Sequence, residues 1–127
     1  MYWHSGLITR LIDILGRLSC TPDIIHLNIN IDGLPVSNSS RQQLWPILCN
    51  IFELPNVSPF VIGIYAGNAK PSDLDAYLGP FVNEMKQLEE GLTITSNTGT
   101  EKTVKVTIRA FICDSPARAM IKGNLID

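Results

Sequence analysis

The run Ile25-His26-Leu27-Asn28-Ile29-Asn30-Ile31-Asp32 decides the fold. Leu27, Ile29 and Ile31 fall on one side of an extended chain, and His26, Asn28, Asn30 and Asp32 fall on the other. A period of two marks a β-strand with one apolar and one polar face. The polar face is unusual in carrying two asparagines, which strands disfavour.

Toward the N-terminus, Leu7, Ile8, Leu11, Ile12, Leu15 and Leu18 recur at helical spacing, with Arg10, Asp13 and Arg17 opposite. This predicts an amphipathic helix over residues 5–18 that packs on the sheet and is over before Pro22. Toward the C-terminus, residues 37–41 read as a loop. Residues 43–52 read as a second strand, which Pro46 assigns to a sheet edge or a bulge. A turn over 54–59 leads to a third, mostly apolar strand at 60–65, and residues 67–71 form another loop. Ser72 or Asp73 can cap a helix running to about Glu90, and Gly91 stops it. Its apolar face is Leu74, Tyr77, Leu78, Phe81, Val82, Met85 and Leu88, while Glu84, Glu89 and Glu90 fall on the solvated side. Residues 92–95 and 102–112 read as strands joined by a turn at 96–99. Ile112 and Cys113 suggest burial on both faces where the last strand ends. Asp114-Ser115-Pro116 then opens a helix.

This order predicts an α/β protein with a mixed sheet. Three consecutive strands suit an antiparallel meander, and the strand after the long helix can return parallel to the first by a right-handed crossover. Residues 1–22 would be an N-terminal helix packed on the core, and residues 23–127 the domain proper. Asp32 and Asp114 each close a strand. Parallel neighbours would bring both carboxylates to one end of the sheet, where ligand and catalytic groups gather.

With 127 residues, 45% hydrophobic and 17% charged, the chain has the make-up of one folded domain rather than a disordered segment. A formal net charge of −2 argues against a dedicated non-specific nucleic-acid binder. It leaves room for a site that meets DNA through a metal and a few cations. Cys20, Cys49 and Cys113 show no C-x-x-C spacing, which speaks against a disulfide framework or a zinc ribbon. No run approaches the ~20 apolar residues of a membrane span. The N-terminal run, interrupted by Arg10, Asp13 and Arg17, does not read as a signal peptide. An intracellular protein without a membrane partner is expected.

Each candidate residue has two readings. Asp32-Gly33 is a common hairpin turn, and Asp114 is an ordinary helix N-cap. Taken together, the two carboxylates could share a divalent cation, because Mg²⁺ and its like prefer carboxylate oxygen. Lys70, in Gly67-Asn68-Ala69-Lys70-Pro71, could meet a phosphate, although the P-loop spacing is absent. Lys105 and Arg109 share a strand face that is either solvated or in contact with a nucleic-acid backbone. His26 shares the polar face with Asp32 but lies about 20 Å away along an extended strand, which suits a structural histidine.

The run LNINIDGLPVSNSSRQQLWPILCNIFELPNVSPFVIGIYAGNAKPSDLDAYLGPFVNEMKQLEEG, followed by VTIRAFICDSPARAMIKG, resembles the catalytic region of CACTA-like transposases and related transposase-domain proteins. The ordered set IDG, WPI, LPN, G-x-x-KP, FVNEM and CDSPAR carries the likeness, over roughly residues 2–123. The resemblance implies a partial RNase H-like fold and a DDE-type site. Asp32 would be its first acidic position and Asp114 its second, holding Mg²⁺ or Mn²⁺ for cleavage and transfer of DNA strands. Family members continue to a third acidic residue, whereas this sequence ends AMIKGNLID. The expectation is therefore a transposase-derived domain, nuclear if functional and catalytically incomplete by itself, with a sheet edge open to self-association. The alternatives are a non-enzymatic module that binds protein or nucleic acid, and a relic.

Overall fold

A computed structural model of the protein describes residues 1–31, 34–35, 42–68 and 73–112, with Leu34, Pro35, Leu74 and Asp75 described by backbone alone. In chain order the elements are β1 (Tyr2–His4), α1 (Ile8–Gly16), β2 (Ile24–Ile31), β3 (Leu34–Pro35), β4 (Gln43–Ile51), β5 (Phe60–Gly67), α2 (Leu74–Gln87), a 3₁₀ turn (Leu88–Glu90), β6 (Leu92–Thr95) and β7 (Glu101–Ile112). The strands lie in the order β1-β5-β4-β2-β7-β6, with β3 beside β4. The run that opened the sequence analysis is the central strand, β2. Strands β2, β4 and β5 form an antiparallel meander. β7 runs parallel to β2, from Ile24 opposite Lys105 to Asn30 opposite Ile112. The described residues thus form a mixed α/β fold with a seven-stranded mixed sheet and two α-helices.

Both helices cover one face of the sheet. Ile25, Leu27, Ile29 and Ile31 of β2, Ile47, Cys49 and Ile51 of β4, Ile62 of β5, and Val104 and Val106 of β7 are all buried. They share one cluster with Leu7, Leu11 and Leu15 of the N-terminal segment and with Leu78, Phe81, Val82 and Met85 of α2. Full burial of one such side chain stabilises by about 1.5–3 kcal/mol. Among the described residues no helix is long and apolar enough to cross a membrane.

The predicted N-terminal helix is shorter than its apolar pattern. Residues 2–4 instead pair with β5, with Tyr2 opposite Tyr65 and His4 opposite Gly63. Gly6, at φ 104°, turns the chain from strand into helix. Ile12, which the spacing places on the apolar stripe, is half exposed. Pro46 does not mark an edge, because β4 is an interior strand. It lies next to a bulge between Ile47 and Leu48, and in a gap between the residues paired to β3 and those paired to β2. Among the described residues no β2 or β3 partner stands opposite it to require its missing N–H. Asp73 caps α2 by accepting from the Ala76 N–H at 3.1 Å.

A second irregularity shapes the open face. Leu27 stands opposite Ile108 and Asn28 opposite Ala110, so Arg109 is an extra residue in β7. A bulge of this kind flips the alternation beyond it. Phe111 therefore turns to the core, where it meets Phe81 edge-on at 6.3 Å between ring centroids. Ile112 turns outward and is 62% exposed, not buried as its apolar neighbours suggested.

Candidate functional site

The face without helices carries the polar half of the alternation: His26, Asn28 and Asn30 from β2, Asn50 from β4, and Lys105, Thr107 and Arg109 from β7. Arg109 Nη1 donates to Asn28 Oδ1 at 3.2 Å, and Asn28 Nδ2 donates to Asn50 Oδ1 at 2.8 Å. The guanidinium also lies 4.4 Å from the centroid of the Phe52 ring, which is 53% exposed just past the end of β4. Cation–π contact at such a site contributes about 0.5–1 kcal/mol.

Beside this ladder lies a cleft of about 140 Å³, lined by Asn28, Ile29, Asn30, Leu48, Cys49, Asn50, Pro59 and Ile112. Among the described residues its lining combines apolar side chains and the Cys49 thiol with three carboxamides.

At the other end of β2, Glu53 holds His26 by two bonds. It accepts the backbone N–H at 2.7 Å and the ring Nδ1–H at 2.5 Å. Burial opposes ionisation of Glu53, but the hydrogen bonds from His26 outweigh it and keep the carboxyl below its ordinary range. This is the structural partner that the sequence reading expected for His26.

Of the candidates from sequence, Asp32, Asp114 and Lys70 lie outside the described residues. Lys105 and Arg109 share the open face but do not meet, being four residues apart, about 13 Å along a strand. Arg109 bonds Asn28 through one nitrogen and lies over the Phe52 ring. Lys102, three residues before Lys105 and on the other side of the alternation, is tied to Asp23 at 2.8 Å and to the Thr21 carbonyl at 2.6 Å. The hydrogen bond and charge of Lys102 hold the Asp23 carboxyl low. Among the described residues no three His, Cys, Asp or Glu side chains come together as a metal site. Cys49 is buried, and burial pushes its thiol up to about 12.

Glu84 corrects the sequence reading. It is not part of a solvated helix face. Its Oε1 accepts from the Leu7 N–H at 2.8 Å and from His4 Nε2 at 2.6 Å, and its Oε2 accepts from the Ile8 N–H at 2.8 Å. These bonds satisfy N–H groups at the start of α1, whose own N-cap residue offers no side-chain bond. Tyr2 donates its hydroxyl to His4 Nδ1 at 3.0 Å. Burial, with the nearby Glu84 charge, pushes the Tyr2 phenol up to about 12. The carboxylate and the groups it serves are more than seventy residues apart, so spacing gave no sign of them. The amide ladder did leave a trace in the sequence: two asparagines at alternate positions of a strand.

No protein-family model matches the chain, and no curated protein matches it.

Proposed function

We propose that this chain is a transposase-derived domain of RNase H-like type, in which Asp32 and Asp114 hold a divalent cation at the sheet end where β2 and β7 finish. One observation carries this reading. β2 and β7 are parallel neighbours, and their last described pair, Asn30 opposite Ile112, lies two residues before each aspartate. The offset in sequence is the same on both strands. The motif set IDG through CDSPAR supports the same two positions.

Carboxylate oxygens suit Mg²⁺ or Mn²⁺. Such an ion, when bound, supplies activation of water and neutralisation of charge on a phosphodiester. Asp32 and Asp114 are the anchoring groups, and Lys70, Lys105 and Arg109 are candidate contacts for the DNA backbone. Two carboxylates leave most of an octahedral shell to water, and two-metal displacement would need a further protein ligand. The 127-residue chain alone is therefore expected to bind Mn²⁺ weakly and not to nick supercoiled DNA. Metal-dependent nicking that disappears in Asp32→Asn and Asp114→Asn would overturn the claim of incompleteness.

A second reading, a binding module that pairs strands with another chain, rests on a different observation. β6 covers only residues 101–104 of β7. Among the described residues, nothing pairs with the outer edge of residues 105–112. Open edges recruit other strands. Sedimentation should then show a concentration-dependent dimer, whereas a monomer at all concentrations counts against edge pairing.

A further inference from the structure

We propose that Glu53 is a positioning residue: through His26 it fixes Phe52 beneath Arg109, so that one cation of the open face stands ordered before an anion reaches it. The inference rests on the reading of Arg109 as a DNA-backbone contact only for the identity of that anion.

The clamp has three bonds. The His26 backbone N–H and ring Nδ1–H both go to the Glu53 carboxylate, at 2.7 and 2.5 Å, and the His26 carbonyl accepts the Phe52 N–H at 2.8 Å. Two consecutive residues after β4 thus grip one residue of β2. Phe52 needs such a hold, because it is exposed and stands outside the hydrophobic cluster, so core packing does not set its ring.

Arg109 needs the ring in turn. It is the extra residue of the β7 bulge, with no residue of β2 paired to it. Its guanidinium lies 4.4 Å from the Phe52 ring centroid and bonds Asn28 Oδ1 at 3.2 Å. An unheld arginine carries much rotamer freedom, which binding must remove. Over a ring face much of it is already gone, and the planar fork keeps donors at its edge for a phosphate oxygen.

The charged groups of β7 on this face are Lys105 and Arg109, on either side of Thr107, which pairs with His26. β2 and β4 add the uncharged Asn28 and Asn50, residues 54–59 carry no charge, and Asp23, before β2, is tied to Lys102. His26 bonds Glu53 through Nδ1–H, a donor in one neutral tautomer and in the charged ring alike, so the clamp depends on the carboxylate. A protonated carboxyl against a charged ring sets O–H against N–H and loses a bond. Glutamine separates the two partners. Its oxygen takes the backbone N–H and its NH₂ donates to a bare Nδ1, so Glu53→Gln keeps the clamp while the ring is neutral. Once the ring is charged, NH₂ meets N–H and the clamp breaks.

The test reads Arg109 directly, on the isotopically labelled full chain without DNA. The Arg109 Nε–H resonance should carry a ring-current shift that Phe52→Leu removes. In the wild type this shift should persist as His26 protonates and fade only with the Glu53 carboxyl. In Glu53→Gln it should fade with His26 instead, about two pH units higher, as imidazoles ordinarily protonate above carboxyls by that much. In Glu53→Ala it should be absent throughout, with the core methyls of Ile62 and Leu78 unmoved. An Arg109 shift that follows neither Glu53 in the wild type nor His26 in Glu53→Gln overturns the proposal. A second arm adds a single-stranded thymidine oligonucleotide in EDTA. Ordering one long side chain in advance is worth about two- to tenfold in affinity, so Glu53→Ala should bind that much more weakly than the wild type. Equal affinities also overturn the proposal. Absence of binding by every chain, the wild type included, removes the DNA contact instead, and the first arm then decides the positioning of Arg109 alone.

Discussion

One strand, two faces: on its covered side β2 presents Ile25, Leu27, Ile29 and Ile31, all buried, and on its other side His26, Asn28 and Asn30, all partly or fully exposed. The backbone is the same, so the difference lies in what each face meets. The covered face meets two helices and holds no buried polar side chain among the described residues. The open face keeps its polar groups in order by pairing them: His26 with Glu53, Asn28 with Asn50 and Arg109. Apolar burial is concentrated on one face, and the paired polar groups are left to the other.

The comparison predicts unequal damage. Glu84→Ala removes the acceptor for two backbone N–H groups of α1 and for His4. Hydrogen bonds to a charged acceptor contribute about 1.5–3 kcal/mol each, and not additively, so stability should fall by about 2–3 kcal/mol. The matching cut on the open face, Arg109→Ala, should cost under about 1 kcal/mol. Urea denaturation of both variants checks this. Equal losses would mean that the open face is as structural as the covered one.

A smaller effect sharpens the contrast by acidity. The Glu53 carboxyl is held below its ordinary value in the folded chain, so the folded state gives up that proton more readily than the unfolded state does. Its contribution is present above pH ~4.5 and is lost as pH falls through the lowered folded value. Glu53→Gln should flatten the acid limb of stability against pH and leave the neutral region little changed. An acid limb as steep as that of the wild type would assign the dependence to other carboxylates.

How much of this could be read from the chain follows from the range of each interaction. The alternation of β2, a cap at Ser72 or Asp73 and the stop at Gly91 are local and legible in the sequence, and the structure selects Asp73. The parallel return of β7 follows from a long helix between strands, and it too was legible. β1 was not, because three residues joined to β5 carry no periodicity of their own. Glu84 was not, because its partners lie far away in sequence and its own helix makes it look solvated. The bulge at Arg109 was invisible in an otherwise regular alternation, and Ile112 was misjudged with it. For the site, the amide ladder was half legible: the asparagines stood out, but their link to Arg109 needed the register of β7 against β2.

The central claim is that β2 and β7 end on a shared metal position, and paramagnetic broadening by Mn²⁺ tests it most directly. On titration with sub-stoichiometric Mn²⁺, the backbone amides of Asn30 and Ile112 should broaden first. Those of Ile24 and Lys105, about 20 Å back along the same strands, should stay sharp. Asp32→Asn and Asp114→Asn should each weaken the effect. Broadening centred on His26 and Glu53, or broadening at Asn30 and Ile112 that survives both substitutions, would contradict the account.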